Sequence, residues 1–329
     1  MKYAPINIHR GELMGIGAIG VLCVHSCQMI VWHPLLHKLF SYGGVGVYLF
    51  MFLSGIGWYY SLEKINQLNQ GGGKIFYSRR AKRILIPYCL IAGVWYAIKD
   101  LFVGHNILLF FYELSTLSFW IEHTGAWYIA LLIPLCLCYP FYFNWIENGK
   151  RGFRTCCVLL GIFIIQIIFW YTNTTLYEHL SQVINSLWVF VLGHYYGPKI
   201  KKQGYCLELM IPFIFLFLGT HIEVLTKAYP IVDVYYSYTG IVLAVTAAIF
   251  LEFTKKITPQ IVTRVLKFCG SISLELYLTN IFLMHSMDLF CWNTYFDNLY
   301  IKYLIVIIVG FILSYIFTQV SKKIQSIMI

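Results

Sequence analysis

"LMGIGAIGVLCVHSCQMIVW", residues 13–32, is twenty residues long and contains no Asp, Glu, Lys or Arg. As an α-helix rising 1.5 Å per residue it would measure about 30 Å, the thickness of a bilayer's hydrocarbon core. Similar runs recur near 43–61, 84–103, 126–143, 155–171, 183–197, 205–220, 235–252, 268–287 and 302–320. Hydrophobic residues make up 59% of the chain and charged residues 12%, where a soluble domain carries about a quarter charged. The sequence therefore predicts an all-α, polytopic integral membrane protein with about ten transmembrane helices.

The basic residues orient these spans. With a cytoplasmic N-terminus, 20 of the 24 Lys and Arg fall on the cytoplasmic side, and only Lys38, Lys99, Lys227 and Lys302 fall outside. That asymmetry is what the positive-inside rule requires, and it places both termini in the cytoplasm. The net charge of +10 is thus a topology signal, and no nucleic-acid partner follows from it. Counting "HNILLFFYELSTLSFW", 105–120, as an eleventh span would spoil the charge pattern. With Glu113 near its middle, it reads as a re-entrant or interfacial helix. Residues 1–329 are expected to form one transmembrane domain with no appended soluble domain. "LNQGGGK", 68–74, is the one linker-like stretch. The ten cysteines form no C-x-x-C pair and read as small apolar residues, and the N-terminus lacks the pattern of a cleavable signal.

Three features stand out chemically. His25 is the one histidine in the opening run, slightly past the midplane of a helix that starts at Leu13. A polar group there is costly and usually faces an interior cavity, although a neutral imidazole can also be a satisfied core residue. No His or carboxylate stands at i+3 or i+4, so no metal site is expected. The second feature is "YSRRAKRILIP", 77–87, ahead of the third span. Such a cluster is ordinarily a topology or lipid-headgroup signal. Arg80 and Arg83 nevertheless share a helix face at i, i+3, and two guanidiniums there suit a phosphate-bearing ligand from the cytoplasm. The third is the glycine-rich second span, 42–60. No strand precedes its G-x-G spacings, so no dinucleotide fingerprint exists, and Gly43, Gly44, Gly46 and Gly57 read as close helix packing.

Taken together, several stretches resemble one known family. "LMGIGAIGVLCVHS" (13–26), "GGVGVYLFMFLSG" (43–55), "RRAKRILIPY" (79–88), "GAWYIALLIPLCLCYP" (125–140) and "GSISLELYLTN" (270–280) match, in order, motifs of the acyltransferase-3 family of integral membrane acyltransferases. That family typically acetylates cell-surface polysaccharides. The resemblance implies a ten-helix bundle in the plasma membrane (the bacterial inner membrane) that takes acetyl-CoA from the cytoplasm. The acyl group would pass to a hydroxyl of a polysaccharide or lipid-linked glycan acceptor. By matching position His25 is the catalytic histidine, as general base or as acyl carrier. Arg80 and Arg83, with Arg79 beside them, would hold the CoA phosphates, and Tyr277 and Asn280 of the late motif would meet the substrates. No metal is implied. Membrane lipids surround the protein, and a homo-oligomer is compatible with this reading.

The chain departs from the family pattern twice. Members commonly carry an Arg eleven residues before the histidine, where this chain has Met14. Arg10, one turn closer to the cytoplasm and about 60° off the His25 face, is the expected replacement near the CoA phosphates. The late motif usually ends Y-L-x-H, whereas here Asn280 follows Tyr277-Leu278-Thr279. Asn280 can hydrogen-bond but cannot relay a proton, and His285 is a stand-in that faces elsewhere at i+5. At the outer mouth, His33, His37, Glu122, His123 and Trp127 collect, as an acceptor-binding set or as an ordinary interfacial belt. A transporter or flippase for a lipid-linked glycan or other anionic metabolite is the alternative class, but inverted repeats and paired broken helices are missing.

Overall fold

The apolar runs fold as helices, because a backbone in oil must satisfy its own hydrogen bonds. The computed structural model describes residues 4–68, 72–202, 208, 211–215, 217–218, 230–289 and 298–327. Half of the predicted span 205–220 lies outside them, as do Lys2, Lys227 and residues 69–71 of the glycine-rich linker. Among the described residues no strand occurs, and seven helical segments are long and apolar enough to cross a membrane.

The elements in chain order are α1 (Ala4–Ile8), α2 (Arg10–Met29), α3 (Pro34–Ser41), α4 (Val45–Gln67), α5 (Gly72–Tyr96), a π-helical turn (Ala97–Val103), α6 (Ile107–Leu114) and α7 (Leu117–Glu122). Then come α8 (Trp127–Glu147), α9 (Arg151–Thr172), α10 (Thr174–Lys201), α11 (Pro230–Thr254), α12 (Gln260–Ser271), α13 (Ser273–Leu289) and α14 (Leu299–Ile327). The predicted run 183–197 lies within α10, which buries Asn185, Ser186 and His194 and is correspondingly less apolar. The run 268–287 is divided between α12 and α13. Stretch 105–120 forms two helices of eight and six residues, each too short to cross a bilayer.

α5 begins earlier than the sequence predicts. It starts at Gly72, so the basic cluster is helical and Pro87 is interior to the helix instead of near its start. Pro87 supplies no N–H, which leaves the Arg83 carbonyl without its usual i+4 donor.

The chain divides into two compact units. The first comprises Met1–Gly20, Gly44–Gly72 and Tyr139–Ser271. Here α4 packs on α10 and α11, and glycines make the approach possible. A methyl group at Gly46 would stand 2.4 Å from the Gly17 carbonyl oxygen, and one at Gly55 would stand 2.2 Å from that of Phe190. Both obstacles are backbone and cannot swing away. Gly46→Ala is expected to destabilise the detergent-solubilised protein by about 1–3 kcal/mol, as overpacking does. Gly161→Ala, where a methyl meets nothing within 4 Å, is the matched control. Equal melting temperatures for the two variants would contradict the packing.

The second unit comprises Val21–Gly43, Gly73–Cys138 and Ile272–Ile329. α13 packs on α14, joined by the buried Thr279–Ser314 hydroxyl pair at 2.6 Å. A cluster of Ile30, Met287, Tyr303 and Val306 surrounds the end of α2. The Tyr303 hydroxyl donates to the Leu22 carbonyl, fixing the turn that precedes His25.

Candidate active site

The second unit carries most of the residues singled out from sequence, and its centre is His25. α2 ends at Met29, one turn beyond it. Ser26 donates to the Cys23 carbonyl at 2.6 Å, and the Trp32 indole N–H donates to the Ser26 hydroxyl at 3.0 Å. These bonds pin the helix end, so the imidazole direction is set by the backbone. His25 Nδ1–H donates to Asn280 Oδ1 at 2.6 Å. Asn280 is fully buried on α13, which makes it a rigid acceptor. An amide oxygen accepts and never donates, so with Nδ1 protonated the lone pair sits on Nε2. His25 itself is half-buried.

Aromatic groups shape the surroundings. The Tyr277 ring lies 6.4 Å from the His25 ring, and Tyr128 meets Tyr277 edge-on at 5.7 Å. His285 is close enough to His25 for the two imidazoles to interact electrostatically. It also lines a cavity of about 440 Å³ with Trp95, Tyr96, Lys99, Glu113 and Thr124. Lys99 Nζ donates to both Glu113 oxygens at 2.5 Å and stands 3.5 Å from Asp100. Burial raises the Glu113 carboxyl above the ordinary carboxylate range, and Lys99 opposes that rise. Gly125, at the cavity wall, has φ +92°, a conformation that favours glycine. A Cβ there would also press within 3.1 Å of the Tyr96 hydroxyl.

The family model of the acyltransferase domain matches residues 13–319, nearly the whole chain. The chain belongs to the acyltransferase-3 family. No curated protein and no solved structure matches it. Family and apolar helices together mark it as a membrane protein of acyltransferase type.

Within this acyltransferase domain the residues named from sequence fall into three groups. His25, Tyr277 and Asn280 come together as described. Arg79, Arg80 and Arg83 lie on α5 of the same unit. Arg79 and Arg83 are exposed, and Arg80 is half-buried with its guanidinium 5.4 Å from the Phe76 ring centre. Arg83 also acts electrostatically on Glu275, a buried carboxylate of α13 that sequence reading passed over. Glu122 and His123 are exposed at the end of α7. Glu122 bonds with the Tyr112 hydroxyl, and His123 Nδ1 donates to the Phe119 carbonyl at 3.3 Å. Trp127 is half-buried at the start of α8 and packs edge-on against Tyr128 at 5.8 Å. His33 and His37 are exposed.

Arg10 belongs to the first unit, where Nη2 donates to the Leu53 carbonyl at 3.0 Å. Gly57 makes room for it, since a methyl there would stand 2.1 Å from Arg10 Nη2. The same unit holds a second buried histidine. The Tyr139 hydroxyl bonds His194 Nδ1 at 2.9 Å, and His194 Nε2 is 3.2 Å from Glu147. Arg151 bridges Glu147 and the His194 carbonyl at 3.0 and 2.7 Å. His194 Nδ1 is hydrogen-bonded, Nε2 faces the Glu147 carboxylate and the side chain has no exposure, so this network holds the histidine as part of the packing. Among the described residues no group of three His, Cys, Asp or Glu side chains could hold a metal ion.

Proposed function

We propose that this protein is a membrane-embedded O-acyltransferase using cytoplasmic acetyl-CoA to acetylate a hydroxyl of a cell-surface or lipid-linked glycan. About ten spans with both termini in the cytoplasm, in a bacterial inner membrane, form its single transmembrane domain. The observation that carries this reading is the 2.6 Å bond from His25 Nδ1 to Asn280 Oδ1, in a chain of an acyltransferase family. It leaves Nε2 as the unprotonated nitrogen of the ring.

That lone pair supports two balanced routes. As general base, Nε2 takes the proton of the acceptor hydroxyl while its oxygen attacks the thioester carbonyl. The C–S bond then breaks, and the imidazolium returns the proton to the CoA thiolate. As nucleophile, Nε2 itself attacks the carbonyl and CoA leaves as thiolate; the acceptor hydroxyl then attacks the acyl-imidazolium, the C–N bond breaks to restore the neutral imidazole, and the hydroxyl proton passes to the thiolate. Quenching the protein with labelled acetyl-CoA in the absence of acceptor separates them, because only the second route labels His25.

Arg80 and Arg83 are the proposed phosphate contacts, with Arg79 in support. A charge-assisted hydrogen bond is worth about 1.5–3 kcal/mol, so Arg80→Ala and Arg83→Ala should each weaken acetyl-CoA binding about ten- to a hundredfold. kcat at saturating donor should change little. Equilibrium binding of labelled acetyl-CoA reads this directly, and unchanged affinity in both variants would remove the arginines from the donor site.

A further inference from the structure

We propose that the cavity beside His285 is the acceptor pocket and that it takes a neutral, hydroxyl-bearing sugar ring and excludes acidic sugars. The proposal rests on the acyltransferase reading and adds a substrate class to it. The cavity, at about 440 Å³, falls within the range of small-molecule sites. Its walls divide by chemistry. Trp95 and Tyr96 offer ring surface for the C–H face of a pyranose, and both rings pack on Phe282, at 6.0 and 5.5 Å, which holds them in place. Opposed to ring surface are hydrogen-bonding groups: the Glu113 carboxylate, the Lys99 ammonium, the Thr124 hydroxyl and the His285 imidazole.

Counting hydrogen-bond capacity favours hydroxyl donors. A carboxylate offers about four lone-pair sites, and Lys99 uses one on each Glu113 oxygen. The remainder can accept from sugar hydroxyls. Counting charge rejects an acidic ligand. Lys99 is one cation set between two carboxylates, Glu113 at 2.5 Å and Asp100 at 3.5 Å. Asp100 has no exposure and acts on the Glu113 carboxyl beside it. The lysine is therefore committed to these two groups and offers no free cation to an acidic ligand. A uronic acid or phosphosugar would set its negative charge against two acidic side chains and a lysine already paired with them, which works as a repulsive selection element.

The pocket also connects to the chemistry. His285 lines it and interacts with His25. Tyr96 lines it and interacts electrostatically with Tyr277, whose ring is 6.4 Å from that of His25. The Lys99–Asp100 pair sits in the π-helical turn Ala97–Val103, a distortion often found at functional sites. Here it would serve to present Lys99 to Glu113 across from α6.

The test is equilibrium binding to the full-length protein in nanodiscs, with tritiated methyl glucoside, galactoside and mannoside as neutral probes and tritiated glucuronate as the acidic one. At least one neutral glycoside should bind at least tenfold more tightly than glucuronate. Trp95→Leu and Glu113→Gln should each weaken it at least tenfold, with acetyl-CoA binding unchanged as the check on folding. Glu113→Gln, which removes one of the two acidic groups and releases Lys99 from it, should also narrow the preference over glucuronate, an effect that mere loosening of the fold would not produce. Glucuronate binding as tightly as the best neutral probe would overturn the proposal. So would absence of any glycoside binding, or neutral binding indifferent to both substitutions. Failure of the acyltransferase reading looks different: wild type would then bind the glycoside, lose it in Trp95→Leu, and yet transfer no acetyl group.

Discussion

His25→Ala should lower kcat for acetyl transfer by about 10²–10⁴-fold, the usual contribution of a positioned acid–base group. Acetyl-CoA affinity should stay within about twofold, because the proposed phosphate contacts lie on α5 and the substitution removes no charge from it. The loss is expected to be this large because the imidazole is held from two directions. Ser26 and Trp32 pin the end of α2, and Asn280 fixes the ring by its Nδ1–H. Nothing else described near that point offers an equivalent base at the same position. His285 is a neighbour, but it is exposed and faces the cavity. Retention of more than a tenth of wild-type kcat by His25→Ala would shift the chemistry to another residue. Parallel loss of acetyl-CoA binding would instead indicate a folding defect, and His25→Gln then serves as the polar substitute.

Asn280→Leu is the second large effect. Leucine is close to asparagine in size but accepts no hydrogen bond, so the Nδ1–H of His25 is left facing a buried apolar group. An orphaned buried donor costs about 1–3 kcal/mol, and the imidazole escapes that cost by rotating or by moving its proton to Nε2. Either response removes the reactive lone pair, and kcat should fall about ten- to a hundredfold. KM for acetyl-CoA should not change. Asn280→Asp keeps an acceptor oxygen at the same place and should recover most of the lost activity. If Asn280 merely filled space, leucine would be the better tolerated of the two. That order of activities, Leu above Asp, would refute the positioning role.

The helical, membrane-embedded character was legible because it depends on composition and run length alone. Twenty uncharged residues at 13–32 need no tertiary information to be read as a span. The glycine-rich α4 was also legible in kind, and Gly46 against Gly17 is the close packing its composition suggested. His25 stood out because an imidazole among apolar residues is conspicuous in any window. Its partner was harder to see. Asn280 is 255 residues away, and by sequence it read as the loss of a histidine, not as the acceptor that orients one. The cavity was hidden for the same reason. Glu113 stood near the middle of an apolar stretch and Lys99 was one of four basic residues placed outside, but only the packing of the π-helical turn on α6 brings them together. His285 was set aside because i+5 points away from Asn280 on an ideal helix. The structure shows both side chains reaching His25 by different means, one through a hydrogen bond and the other through its field. The beginning of α5 was misjudged because hydropathy marks where a helix enters oil, and a solvated basic turn extends it unseen.

The most direct measurement is the ester-linked acetyl content of the surface glycan from cells expressing wild type or His25→Ala at matched membrane levels. Acetyl ester should be present with wild type and fall to the empty-vector level with His25→Ala. Equal acetyl content in the two, with both proteins folded in the membrane, would contradict acyl transfer through His25.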